Sequence, residues 1–153
     1  MKSKKSILLG IIIFIIVIFL AGCGLKNLID NKEFKSHFEE LGYTISNGDI
    51  EDSELKSYLI ASKEDIPYKI EYYEYDTELN AKKSYEKYKK SIANYITSTS
   101  KNQETNGTSY TKLIAISDNE YIVISRVKNT LIFVNGTNEY SNEIDNLLKE
   151  IKY

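Results

Sequence analysis

Residues 68–75 read YKIEYYEY, and residues 76–96 continue as DTELNAKKSYEKYKKSIANYI. In the first segment, aromatic and β-branched residues alternate with polar ones, which predicts a half-buried strand. In the second segment the apolar positions recur at helical spacing, at Ala81, Tyr85, Tyr88, Ile92 and Tyr95/Ile96. This spacing predicts a helix capped by Asp76 or Thr77, with an apolar stripe on one face and lysines on the other. We expect this helix to lie across a sheet.

The residues before this segment predict one more helix and two strands. A helix capped by Asp30 or Asn31 carries Phe34, Phe38 and Leu41 as an apolar stripe. Gly42 follows at the position of a left-handed cap residue. A short strand is predicted at residues 43–45 and a longer one at 57–62.

The residues after it predict a loop, three strands and a last helix. Residues 97–109 contain almost no apolar side chain and indicate a long loop. Strands at 110–117, 120–128 and 130–135 are separated by tight turns, which favours a β-meander. From about Asn138, a helix places Tyr140, Ile144, Leu147, Leu148 and Ile151 on one face.

When the short segment at 43–45 is left out, the predicted order of elements is α-β-β-α-β-β-β-α. It lacks the regular βαβ alternation of a parallel sheet, so the predicted class is α+β. We expect an antiparallel sheet of four or five strands, with helices packed on one or both of its faces.

The N-terminus has the layout of an export signal. Lys2, Lys4 and Lys5 precede an apolar run at residues 7–20, and Leu20-Ala21-Gly22-Cys23 ends it. This quartet resembles the lipobox of bacterial lipoproteins. The resemblance implies cleavage between Gly22 and Cys23 and attachment of a palmitate-containing lipid to the Cys23 thiol.

The expected division of the chain follows from this resemblance: a cleaved signal peptide at 1–22, a lipidated tether at 23–30 and a single α+β domain at 31–153. An uncleaved transmembrane anchor is the alternative. Fourteen residues give ~21 Å of helix, which is short of the ~30 Å that a span requires. In both cases the domain is expected at the extracytoplasmic face of the cell membrane.

Charge and cysteine content exclude several classes of function. Removal of residues 1–22 leaves 131 residues, in which 17 of the 20 basic side chains remain against 22 acidic ones, a net charge of −5. Such a domain is a poor candidate for nucleic acid. Because Cys23 is the only cysteine, no intrachain disulfide, cysteine-based zinc site or thiol nucleophile is available.

Few residues are suited to catalysis, and no metal or other cofactor is expected. His37 is the only histidine, and it is expected to be a partly exposed helix residue. Paired carboxylates occur at Glu39-Glu40 and in the stretch DIED at 49–52, which lacks the order of an EF-hand and indicates a solvated acidic loop. A small envelope hydrolase that uses paired carboxylates remains an alternative; it needs two convergent acids in a pocket.

Tyrosine is in excess, with thirteen residues against five phenylalanines and no tryptophan. Strand alternation places Tyr72 on one face of the sheet and Tyr73 and Tyr75 on the other. If helices cover one face only, Tyr73 and Tyr75 present a platform for a glycan or a protein. If both faces are covered, these tyrosines belong to the core, which is the favoured interpretation.

Residues 124–134, ISRVKNTLIFV, and the helix that ends at Tyr153 resemble the C-terminal part of small uncharacterised lipoproteins of Gram-positive bacteria. This resemblance implies kinship but no activity. The expected function is therefore a non-enzymatic binding or accessory module, anchored to the membrane through Cys23, with an envelope protein or a glycan as its partner.

Overall fold

A computed structural model of the protein describes residues 29–50, 52–93, 101–117 and 119–153. The helices are α1 (Asn31–Glu40), α2 (Glu78–Ala93) and α3 (Ser141–Glu150), and a 3₁₀ turn (Asn138–Tyr140) precedes the last. The strands are β1 (Thr44–Asn47), β2 (Leu55–Ser62), β3 (Lys69–Tyr75), β4 (Lys101–Asn106), β5 (Tyr110–Ile116), β6 (Glu120–Val127) and β7 (Thr130–Thr137).

The seven strands of the described chain form one antiparallel sheet in the order β1-β2-β3-β7-β6-β5-β4. Two meanders, β1–β3 and β4–β7, meet where β3 pairs with β7, with Tyr72 opposite Ile132. The α+β class with helices on an antiparallel sheet is confirmed. The expectation of four or five strands is wrong, because the sheet has seven.

The two edge strands account for the difference in strand number. β4 reads KNQETN and lies within the predicted loop at 97–109. It pairs with β5 through its backbone, and residues 102–106 are exposed, so no apolar alternation marks it as a strand. β1, at the other edge, has only four residues.

The end of β7 also differs from the prediction. The strand was expected to stop at Asn135 but continues to Thr137, with Gly136 paired with Tyr121. A Cβ atom on Gly136 would lie 2.7 Å from Cδ1 of Ile144, so the glycine allows α3 to pack closely on the strand.

Helices cover both faces of the sheet. On the first face, α1 and α3 bury Phe34, Phe38, Ile144 and Leu148 against sheet residues that include Tyr72. On the second face, α2 buries Ala81, Tyr85 and Ile92 against sheet residues that include Tyr73 and Tyr75. The predicted alternation of Tyr72 against Tyr73 and Tyr75 is therefore confirmed.

The chain enters the domain on the first face. Asp30 caps α1: its side chain accepts hydrogen bonds from the backbone N–H groups of Lys32 and Glu33, both at 2.8 Å. Ile29, just before the cap, is buried, and its carbonyl accepts a hydrogen bond of 3.1 Å from the Tyr72 hydroxyl. At the other end of α1, Gly42 has φ = +81°, as expected of a left-handed cap residue.

An ion pair fixes the N-terminal end of α2 to the sheet. Arg126 of β6 is only 4% exposed, and its Nη1 lies 3.1 Å from Oε1 of Glu78 and 3.1 Å from the carbonyl oxygen of Lys128. The side chain of Glu78 is half exposed. The cation is thus the buried member of this pair.

Candidate binding site

A cleft of about 370 Å³ opens on the second face of the sheet. It forms because α2 packs on β3, β6 and β7, whereas Gly48, Asp49 and Asp52 lie beside β2. We call it the tyrosine cleft. Its aromatic and aliphatic lining consists of Leu55, Tyr58, Tyr73, Tyr75 and Tyr88. Its polar lining consists of Asp49 and Asp52 on one wall and Ser84, Lys87 and Ser91 of α2 on the other.

The tyrosine rings of the cleft pack on one another. Tyr58 of β2 lies opposite Tyr73 of β3, and their rings stack with centroids 4.4 Å apart and planes 15° apart. Tyr88 of α2 lies 5.7 Å from Tyr73 and stacks on Phe133 at 5.3 Å. Much of the ring surface is therefore already used within the protein.

Glu71 organises the hydroxyl groups below the cleft. The Tyr58 hydroxyl donates a hydrogen bond of 2.8 Å to Oε2 of Glu71, and the Tyr73 hydroxyl donates to the same oxygen. Since each hydroxyl has one proton, these two oxygens can only accept a hydrogen bond from a ligand.

Burial keeps the cleft tyrosines protonated. Desolvation is the main cause that raises the pKa of Tyr73, and its hydrogen bond to Glu71 raises it further. Burial also raises the pKa of Tyr58 and Tyr88, and it raises the pKa of Tyr75 to about 12. A phenolate nucleophile at neutral pH is therefore not a role for these residues.

The two polar walls carry opposite charges. Asp49 and Asp52 are exposed, and Oδ1 of Asp52 accepts a hydrogen bond of 2.9 Å from the Glu54 backbone N–H. Lys87 is exposed on the α2 wall. No ion pair joins Lys87 to either aspartate among the residues that the structure describes. The two aspartates and Lys87 thus line the same cleft without forming an ion pair with one another.

Gly48 allows the acidic wall to form. Its N–H donates a hydrogen bond of 2.9 Å to the Tyr58 carbonyl. A Cβ atom at this position would lie 2.0 Å from both Cδ1 and Cε1 of Tyr58. The backbone of Gly48 therefore lies directly on the ring, and Asp49 follows at the edge of the cleft.

The structure places Tyr73 and Tyr75 in the core rather than on an open platform. They are 6% and 4% exposed, because α2 covers the second face. The favoured interpretation of these residues as core is thus supported, although both also line the tyrosine cleft. Gly22 and Cys23 lie outside the described residues, as do the predicted signal peptide and most of the tether.

The other candidate residues lie away from the cleft. His37 of α1 is partly exposed, as expected, and its Nε2 lies 3.5 Å from Oε2 of Glu150. Glu39 and Glu40 are exposed on the same helix, and Glu39 lies 3.8 Å from Nζ of Lys35. Of the two predicted carboxylate pairs, only the one at 49–52 lies at the tyrosine cleft.

A second groove of about 410 Å³ lies between α1 and the C-terminal end of the chain. Its lining includes Ile29, Glu33, His37, Glu40, Glu150 and Lys152. Because Ile29 lines it, this groove is adjacent to the point at which the N-terminal segment reaches the domain.

The sequence patterns gave no indication that Tyr58, Tyr88, Ser84 and Lys87 belong to one site. The helical stripe indicated Tyr88 as a core residue, and Tyr58 lies in the predicted strand at 57–62, but neither pattern shows that a cleft opens between α2 and β2. Within the described ranges, no group of three or more histidine, cysteine or acidic side chains is placed to hold a metal ion. The same ranges contain no helix with the length and apolar character needed to cross a membrane.

No protein-family model, curated protein or solved structure matches the chain.

Proposed function

We propose that the protein is a membrane-anchored exported lipoprotein whose domain is a non-enzymatic binding module, with the tyrosine cleft as its ligand site. The observation that carries the proposal is the cleft itself, which combines an aromatic floor with unpaired charges of both signs at its rim. Small-molecule sites are typically concave, largely apolar and provided with a few convergent polar groups.

The point at which the chain enters the domain determines how an anchor on Cys23 would orient it. Ile29 is buried on the first face of the sheet, and the cleft opens on the second. The six Cα-to-Cα steps from Cys23 to Ile29 reach ~20 Å at most. A lipid on Cys23 therefore holds the first face near the membrane and leaves the cleft accessible from the outside.

Cross-linking in intact cells tests the binding function. The cleft variant carries Asp49→Asn and Lys87→Gln, and the control carries Asp65→Asn and Lys32→Gln, which remove the same charges at exposed positions away from the cleft. We expect a cross-linked partner or ligand to be captured by the wild type and the control but lost from the cleft variant. Equal capture by all three proteins would contradict a role for the cleft.

Alanine variants of Tyr73 and Tyr75 are unsuitable for this experiment. Both rings are buried, so their removal would leave cavities and lower stability by ~3–5 kcal/mol each, by analogy with other aromatic core residues. Loss of a partner would then report unfolding rather than binding.

A hydrolase that uses paired carboxylates is the second candidate, because Asp49 and Asp52 line one cleft. Their exposure favours binding over catalysis, since a general acid is normally tuned by burial or by a charged neighbour. Hydrolysis of isolated envelope polymers by the wild type, abolished by Asp49→Asn and retained by Asp65→Asn, would establish the hydrolase instead.

A further inference from the structure

We propose that the tyrosine cleft binds a small dipolar ion with an apolar body, such as a free amino acid or a short peptide. The ligand's ammonium group lies at Asp49 and Asp52, and its carboxylate lies at Lys87. This inference rests on the proposed binding function and specifies the chemistry of the ligand.

The arrangement of charges supports a ligand that carries both an ammonium group and a carboxylate. Asp49 and Asp52 stand on one wall and Lys87 on the other. None of the ion pairs of the described chain joins these walls, although the walls border one cleft. A dipolar ligand satisfies both sides at once with charge-assisted hydrogen bonds, which are roughly twice as strong as neutral ones.

The hydrogen-bonding groups of the cleft also distinguish the ammonium side from the carboxylate side. Carboxylates are acceptors only, and the hydroxyls of Tyr58 and Tyr73 already donate their hydrogen bonds to Glu71. On the helix wall, the Ser91 hydroxyl donates a hydrogen bond of 2.7 Å to the Tyr88 carbonyl, so Lys87 is the charged donor of that wall. A cation is therefore favoured at the aspartates and an anion at the lysine.

The floor of the cleft determines the apolar part of the ligand. Leu55 and the tyrosine rings offer apolar contact in a volume of about 370 Å³, at the lower end of the range for small-molecule sites. A stacked sugar is disfavoured, because Tyr58 is covered by Gly48 and Tyr73, and Tyr88 stacks on Phe133. An apolar or aromatic side chain fits this floor better than a glycan.

Calorimetric titration of the full-length protein in detergent micelles tests the proposal with three matched probes. L-Phenylalanine carries both charges, L-phenylalaninamide lacks the carboxylate, and N-acetyl-L-phenylalanine lacks the ammonium group. We expect L-phenylalanine to bind at least about tenfold more tightly than either derivative, since each lost charge removes a charge-assisted contact. Alanylphenylalanine as a fourth probe distinguishes a free amino acid from a short peptide.

Two variants assign the residues that bind each charged group of the ligand. Asp49→Asn should weaken L-phenylalanine and its amide but leave the N-acetyl derivative unchanged. Lys87→Gln should weaken L-phenylalanine and the N-acetyl derivative but leave the amide unchanged. Asp65→Asn and Lys32→Gln serve as controls with unchanged affinities. All four positions are exposed, and an unchanged near-ultraviolet circular dichroism spectrum verifies the fold.

The outcomes separate this inference from the function on which it rests. Equal affinity for the three phenylalanine probes, or no binding of any of them, overturns the dipolar ligand; so does binding of an N-acetylglucosamine oligomer that neither charge variant weakens. If cross-linking in cells still depends on Asp49 and Lys87 in that case, the binding function stands with a different ligand. If cross-linking is also independent of both residues, the binding function fails as well.

Discussion

Replacement of Gly48 by alanine tests the contact on which the acidic wall of the cleft depends. The added Cβ would lie 2.0 Å from Cδ1 and Cε1 of Tyr58 and 2.6 Å from its Cγ. Carbon atoms in favourable contact are ~3.5–4.0 Å apart, so the ring or the loop must move by ~1.5 Å.

Tyr58 has little freedom to make this movement. Its ring stacks on Tyr73 at 4.4 Å, and its hydroxyl donates a hydrogen bond to Glu71. Overpacking of this kind costs ~1–3 kcal/mol. Without a steric conflict, glycine to alanine stabilises a protein by ~0.4–1 kcal/mol, because the unfolded chain loses entropy. A loss of stability in Gly48→Ala therefore indicates that the steric conflict dominates, and a gain indicates that the unfolded-state entropy dominates.

Urea unfolding of the purified protein in mild detergent, followed by circular dichroism, measures the free energy of unfolding of the wild type, Gly48→Ala, Tyr58→Ala and the double variant. We expect Gly48→Ala to be less stable by ~1–3 kcal/mol in the wild-type background. In the Tyr58→Ala background the clashing ring atoms are absent, so the same change should cost nothing. A Gly48→Ala protein as stable as the wild type would refute the steric reasoning, and so would an equal cost in both backgrounds.

Three further predictions concern other parts of the chain. Cys23→Ser should abolish metabolic labelling with palmitate and release or mislocalise the protein; continued labelling would exclude lipidation at this residue. Glu78→Gln should lower the free energy of unfolding by ~1–3 kcal/mol, since it leaves the buried Arg126 cation without its carboxylate. This loss should exceed the loss caused by Arg126→Met, and urea unfolding that finds Arg126→Met the less stable variant would contradict the prediction. Burial raises the pKa of Tyr72 and Tyr85 in the folded state above the ordinary value of 10, so their contribution to stability is complete below pH ~10 and is lost as the pH rises above it. The urea midpoint should therefore fall between neutral pH and pH ~11, and a constant midpoint would count against this effect.

Local patterns predicted the parts of the fold that depend on neighbouring residues. The alternation at 68–75 placed Tyr72 and Tyr73 on opposite faces, and the cap of α1 at Asp30 was one of the two expected positions. β4 could not be predicted in this way because its sequence KNQETN carries no apolar side chain. Its pairing with β5 is made by the backbone, which leaves no signal in side-chain periodicity.

The candidate site could be predicted only in part. The sequence shows the tyrosine excess and the acidic residues Asp49 and Asp52. That the tyrosines and these aspartates line one cleft depends on the strand register, which places Tyr58 opposite Tyr73. It also depends on the missing side chain at Gly48, which the Asn47-Gly48 pair indicated only as a turn. Contacts between distant segments decide both, and one sequence contains no direct signal for them.

The pairing of β3 with β7 has a consequence for how the chain acquires its structure. Every other strand pair joins neighbours in sequence, whereas β3 and β7 are separated by α2 and three strands. Closing that long loop is the step with the largest entropic cost, and folding rates fall as such distant contacts become more important. We therefore expect variants at the β3–β7 seam, such as Ile132→Val opposite Tyr72, to slow folding. Comparable variants within the hairpins should mainly accelerate unfolding, which makes this seam the point at which two locally formed halves become one domain.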